Sequence, residues 1–192
     1  MQNNISKVFN VLGITRDHLG QALVAEVMRE QSDKKVVKAL LTVPTSAWMK
    51  KKFIDNAFLV AAMKKKTGLC RILLDNGANI ETQNVDGDTA LGETCRYNDV
   101  KTARLLLSRG ADPNVQGKYG VTPLIQASYW GGIDLVKDLV GRGARVDAKT
   151  RSGNTAIETA EGAGHEQVVK FLKAAMTKAP RARQKKQPQP AQ

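Results

Sequence analysis

Residues 120–148 read GVTPLIQASYWGGIDLVKDLVGRGARVDA, and this stretch decides the fold. Pro123 is a helix-opening residue: its missing N–H is among the groups a first turn leaves unpaired anyway, and Thr122 before it can cap that turn. Apolar residues then recur at helical spacing over 123–130 and again over 133–141. Gly143 follows the last apolar position, where a left-handed residue closes a helix without a Cβ clash. The stretch predicts two short helices.

Working outward, the same pattern returns on both sides at one period. Gly87, Gly120 and Gly153 stand 33 residues apart, as do Thr89, Thr122 and Thr155, and Leu91, Leu124 and Ile157. A second series, Gly77, Gly110 and Gly143, keeps the interval, with Ala78, Ala111 and Ala144 just after it. Helix pairs are predicted at 90–97 with 100–108, 123–130 with 133–141, and 156–163 with 166–174, with Asn98, Asp99 and Thr67 as caps of second helices. Each pair is too short to hide its apolar stripe alone, so stability must come from stacking on neighbours.

Residues 120–148, with GDTALGETCRYNDVKTARLLLSRGADPN (87–114) and GNTAIETAEGAGHEQVVKFL (153–172), resemble the ankyrin repeat family. A degenerate copy, NAFLVAAMKKKTGLCRILLDNGANIE, precedes them at 56–81. The family's His after its T-P-L segment is replaced by Gly92, Ile125 and Glu158, which removes a hydrogen-bonding group from every repeat. The fold expected is an all-α solenoid of helix pairs, with about four repeats over 44–176, the first degenerate. Residues 1–43 read as a divergent N-terminal helical cap or docking segment. In it Thr15 caps a helix carrying Leu19, Leu23 and Val27, and Ser32 caps a second with Val36, Val37, Leu40 and Leu41. Residues 177–192 form a Pro/Gln-rich basic tail without apolar period, expected to be disordered on its own.

Composition narrows the functional classes. The chain has 192 residues, 42% of them hydrophobic, enough to bury a core. Its net charge of +12 and pI near 9.9 call for an acidic partner. The excess sits in two segments: nine lysines against one acid over 34–66, and five basic residues with no acid over 177–192. Within them Lys50, Lys51, Lys52, Lys64, Lys65, Lys66, Arg181, Arg183, Lys185 and Lys186 form the candidate basic patch. The two lysine triplets are expected at opposite ends of one repeat, roughly 20 Å apart by helical rise.

Catalysis finds no support in the residues. His18 and His165 are the only histidines, and His165 follows Gly164 in a turn between helices, where a structural role is expected. No Cys/His set has metal-site spacing, and neither a nucleophile elbow nor a phosphate loop is present. No catalytic residue, metal or cofactor is expected. Cys70 and Cys95 lie in apolar helical patterns and read as reduced core residues, which places the chain inside the cell, cytoplasmic or cytoskeletal. Ile5, Val8, Phe9 and Leu12 share a helical face and read as a docking helix, with a mitochondrial targeting segment as the alternative. The longest apolar stretch is far short of a membrane span.

What the resemblance implies is protein binding through turn tips and the exposed face of each first helix. In this register those positions include Arg96, Tyr97, Lys118, Tyr119, Tyr129, Trp130 and Arg151. Tyr, Trp and Arg carry most interface energy, and two successive aromatics cannot both point inward from one short helix. The expectation is a non-enzymatic adaptor or scaffold in a larger assembly, docking on a protein with an acidic surface. The alternative is a component of a nucleic-acid-rich particle such as a ribosome, held by non-specific phosphate contacts.

Overall fold

The computed structural model describes residues 19–42 and 47–178. Ten helices occupy them: α1 (Leu19–Met28), α2 (Lys34–Leu41), α3 (Ala47–Met63), α4 (Thr67–Asp75), α5 (Ala90–Arg96), α6 (Val100–Ser108), α7 (Pro123–Tyr129), α8 (Ile133–Gly141), α9 (Ala156–Gly162) and α10 (Glu166–Lys178). They form five antiparallel pairs. The first helices stack as one inner row, α1 on α3, α3 on α5, α5 on α7 and α7 on α9, while α4, α6, α8 and α10 stack as an outer row.

The outer helices begin at residues 34, 67, 100, 133 and 166, so the 33-residue register runs through all five pairs. Leu40, Leu73, Leu106, Leu139 and Leu172 share one position of it and are buried in every repeat. This leucine row is the spine of the core, because α5, α7 and α9 are two-turn helices that would not persist in water alone. Beside it the inner row contributes Leu91, Leu124 and Ala156, and small buried residues such as Ala57, Ala90 and Ala127 let neighbouring helices approach.

Local chemistry sets the helix ends. The Thr89, Thr122 and Thr155 hydroxyls each accept the backbone N–H three residues on. The position left without the family's His keeps a hydrogen bond in one repeat, contrary to the expectation for all three. The Glu158 carboxylate accepts from both the backbone N–H and the hydroxyl of Thr155, a full capping box. These bonds favour its ionised form and hold Glu158 below the usual value. The turn inside each of the last four pairs uses one left-handed residue at the same register position, Lys65, Asn98, Gly131 and Gly164, with φ from 50° to 75°.

Several caps differ from those expected. Asp33, not Ser32, caps α2, accepting from Lys35 N at 2.7 Å, because the Ser32 hydroxyl is held by Lys66 Nζ at 2.9 Å. Thr67 lies inside α4 and does not cap it; its hydroxyl bonds that of Thr102 in the next repeat at 2.7 Å. Asp99 does cap α6, accepting from Thr102 N. Thr15 falls outside the described residues, as do the rest of 1–18, residues 43–46 and, beyond the end of α10, 179–192.

In the second pair, helix takes most of the place of the finger-like turn that precedes α5, α7 and α9. In register, the inner helix of the second pair would begin near Ala57, yet α3 starts at Ala47. Its additional turns occupy the place of a finger, and Lys50, Lys51 and Lys52 sit within them rather than before the helix as expected.

Candidate functional site

The fingers are built by short-range hydrogen bonds that repeat with the register. Asn84 N donates to Asp88 O, Gly117 N to Val121 O and Thr150 N to Asn154 O, at 2.9–3.0 Å. Successive fingers are zipped together: Lys118 N donates to Asp86 O at 2.7 Å and Arg151 N to Tyr119 O at 2.9 Å. Glycine is required at Gly87 and Gly120. Both are left-handed (φ 74° and 73°), and a Cβ at either would stand 3.0 Å from a backbone nitrogen of the next finger. The tips therefore present Lys118, Tyr119 and Arg151 from a continuous hydrogen-bonded ridge, each of them exposed.

Between this ridge and the inner helices lies a cleft of about 240 Å³ lined by Asp86, Asp88, Arg96, Lys118, Tyr119 and Gln126. Tyr119 is 61% exposed on its rim. At the opposite end of α7, Tyr129 and Trp130 are exposed side by side, ring centroids 5.2 Å apart and planes at 86°, and Tyr97 is the register equivalent of Trp130 one repeat earlier. An edge-to-face pair held on a rigid helix end loses little entropy when a partner covers it.

Arg96 is less available than the sequence suggests. Its guanidinium bonds Asp88 at 2.5 Å and stands 3.9 Å from Glu93, whose other contact is Asn84 Nδ2 at 2.8 Å. With 32% of its side chain exposed, it forms a wall of the cleft while neutralising two buried carboxylates. Burial pushes the Glu93 carboxyl up, against the opposing pull of Arg96, and Asp88 is raised for the same reason. Glu93 Oε2 has no hydrogen-bond partner. The next repeat carries the neutral Gln126 at this register position.

Glu93→Gln is therefore expected to raise stability at pH 7, since it keeps the acceptor for Asn84 and removes a buried charge. A carboxyl raised on folding binds its proton at higher pH in the native chain than in the unfolded one. The contribution of Glu93 to stability then falls as pH rises from the ordinary value of 4.5 through the raised one. The gap in Tm between the variant and the unsubstituted chain should shrink as pH is lowered from 7 towards 4. A gap that stays constant would show that Glu93 is not the group responsible.

The remaining sequence candidates have structural surroundings. His165 Nε2 bonds the Tyr129 carbonyl at 2.9 Å, and its ring packs over Gly131, where a Cβ would meet it at 2.6 Å. The imidazole thus fastens the last repeat to the aromatic-bearing one. His18 lies outside the described residues. Cys70 and Cys95 are buried and unpaired. Burial pushes the Cys70 thiol up to about 12 and raises Cys95 further, so neither is a ready thiolate. Among the described residues no group of three metal-ligating side chains converges, and no helix is long and apolar enough to cross a membrane.

The basic candidates divide. Lys51 and Lys64 are exposed, and Lys65 occupies the left-handed turn after α3. Lys66, counted with them from sequence, is a structural tie: its ammonium bonds the Arg29 carbonyl and the Ser32 hydroxyl, fastening the first pair to the second. Arg181, Arg183, Lys185 and Lys186 lie outside the described residues.

Stacked helix pairs with finger turns at a fixed 33-residue register define a repeat solenoid whose exposed chemistry lies on the fingertips and inner helices. Family models of ankyrin repeats match residues 23–117 and 124–172, and the chain belongs to the ankyrin repeat family. The first match begins inside α1. No curated protein matches the chain closely. Ankyrin repeats are generally protein–protein interaction modules and are typically non-catalytic.

Proposed function

We propose that this chain is a non-enzymatic adaptor that docks one protein along the groove between its fingertips and inner helices, as a subunit of a larger assembly inside the cell. The observation that carries this reading is the exposure of four large aromatics on the central repeats, Tyr119 at a fingertip and Tyr97, Tyr129 and Trp130 at the C-terminal ends of α5 and α7. Large aromatics clustered on a rigid surface are the usual anchors of an interface, with polar groups such as Lys118 and Arg151 at its rim. The buried, reduced cysteines fit a reducing compartment, cytoplasmic or cytoskeletal.

The partner's docking surface is acidic in this reading, because the chain carries a net charge of +12 and exposes Lys51, Lys64 and Lys65 in and just after α3. Peripheral charge steers encounter more than it holds a complex together. Reversing Lys51, Lys64 and Lys65 to Glu is expected to slow association with the partner by about tenfold at low salt while leaving dissociation nearly unchanged, as read by biolayer interferometry. An unchanged association rate would remove the acidic-partner reading.

A further inference from the structure

The outer helices carry a second periodic feature. Two positions before each core leucine stands a basic residue, Lys38, Arg71, Arg104, Lys137 and Lys170, and all five are exposed. Two residues advance a helix by about 200°, so this row faces away from the leucine spine in every repeat. The rows one turn to either side are broken: Lys35, Gly68, Lys101, Asp134 and Gln167 on one, Thr42, Asp75, Ser108, Gly141 and Ala174 on the other. Only the central row is positive throughout.

Its geometry follows from the stack. α4, α6, α8 and α10 pack in succession, and Lys34 of α2 reaches over Gly68 of α4, so all five outer helices lie side by side. At interaxial distances of roughly 8–10 Å, the five cations form a line of about 35 Å. Arg104 bonds Asp138 of the neighbouring helix through Nε at 2.6 Å, which fixes its guanidinium on the row and leaves its other N–H groups for a second acceptor.

We propose that this row is a phosphate track that holds nucleic acid by its backbone without reading its bases. The shape of the charge selects this partner. A lipid surface is a plane of anions and gives no reason for one unbroken row between two interrupted ones, whereas a nucleic-acid strand is a line of them. A protein partner would require an apolar anchor on the same face. Among the described residues the only large hydrophobic exposed on the outer helices is Met176, in the extension of α10 beyond the repeat register. Lys and Arg alone suffice for phosphate contacts, which position a chain without specifying sequence. The track lies on the outer helices, whereas the groove is built from the fingertips and inner helices, so one molecule can hold a nucleic acid and a protein at once.

The test uses the full chain and four-site variants, with binding of a 20-base-pair DNA duplex, a 20-nucleotide RNA strand and phosphatidylserine vesicles measured at about 50 to 200 mM salt. In one variant Lys38, Arg71, Lys137 and Lys170 become Gln; in the control, Lys64, Lys118, Lys149 and Arg151 do, an equal loss of charge away from the row. Circular dichroism checks that each stays folded, and single Lys137→Gln and Lys170→Gln variants keep the test open if the combined one does not. The expected result is a loss of about tenfold or more in duplex affinity for the row variant, with its salt slope reduced by about 3, and a much smaller loss for the control. Equal losses in both variants would reduce the effect to net charge and overturn the proposal. So would failure of the unsubstituted chain to bind either nucleic acid at 50 mM salt, or a row variant impaired only on vesicles.

Discussion

Leu139→Ala is expected to lower the free energy of unfolding by about 2–5 kcal/mol, more than most single substitutions in this chain. Leu139 is fully buried in α8, which packs on α6, α7 and α10. Removing its side chain opens a cavity in the middle of the leucine row, where helices on both sides are tied into one stack and cannot collapse freely. A repeat array holds together by coupling between neighbours, so a defect at the fourth of five pairs also separates the last repeat from the others. Urea denaturation should then show a lower midpoint and a shallower transition as cooperativity divides. A loss below about 1 kcal/mol with an unchanged slope would mean that the leucine row is not the spine.

Replacing Tyr119, Tyr129 and Trp130 together with Ala is expected to weaken partner binding by more than about 2 kcal/mol while costing the fold less. These side chains are more than half exposed, so truncation removes little buried area from the folded chain. On binding they would lose their remaining contact with water, and that change is what the substitution abolishes. The comparison is decided by measuring thermal unfolding and affinity on the same samples. If unfolding collapses while the residual folded protein binds normally, these aromatics belong to the packing between repeats and the groove assignment is wrong.

Much of the fold was legible because the repeat imposes its period on residues with few alternatives. Gly87, Gly120 and Gly153 mark left-handed turn positions, and Thr89, Thr122 and Thr155 mark caps, so both series could be read by type and spacing alone. The exposure of Tyr129 and Trp130 was legible for a similar reason, since adjacent residues diverge on a helix. The roles of Lys66 and Ser32 were not. A lysine in a run of three carries no mark showing that its ammonium will bond a carbonyl 37 residues away. Arg96 reads as a free interface cation until the fold brings Asp88 against it, eight residues before it in sequence. The early start of α3 was hidden because MKKKFIDNAF holds a lysine run and the turn-type pair Asp55 and Asn56, which read as a connection ahead of an inner helix that begins near residue 57. The basic row of the outer helices is visible in sequence at the 33-residue period, yet a period of charge becomes a surface only once the helices are known to stack.

The docking claim is tested most directly by placing a photo-crosslinking amino acid at Trp130, at Tyr119 and, on the outer helix α10, at Gln167, one variant at a time, then irradiating each in a native extract treated with nuclease and washed at about 200 mM salt. One protein is expected to be captured from positions 130 and 119 alike, surviving both treatments, and not from 167. Capture of that protein from position 167 alone, or loss of all crosslinks at 119 and 130 after nuclease, would contradict the docking claim.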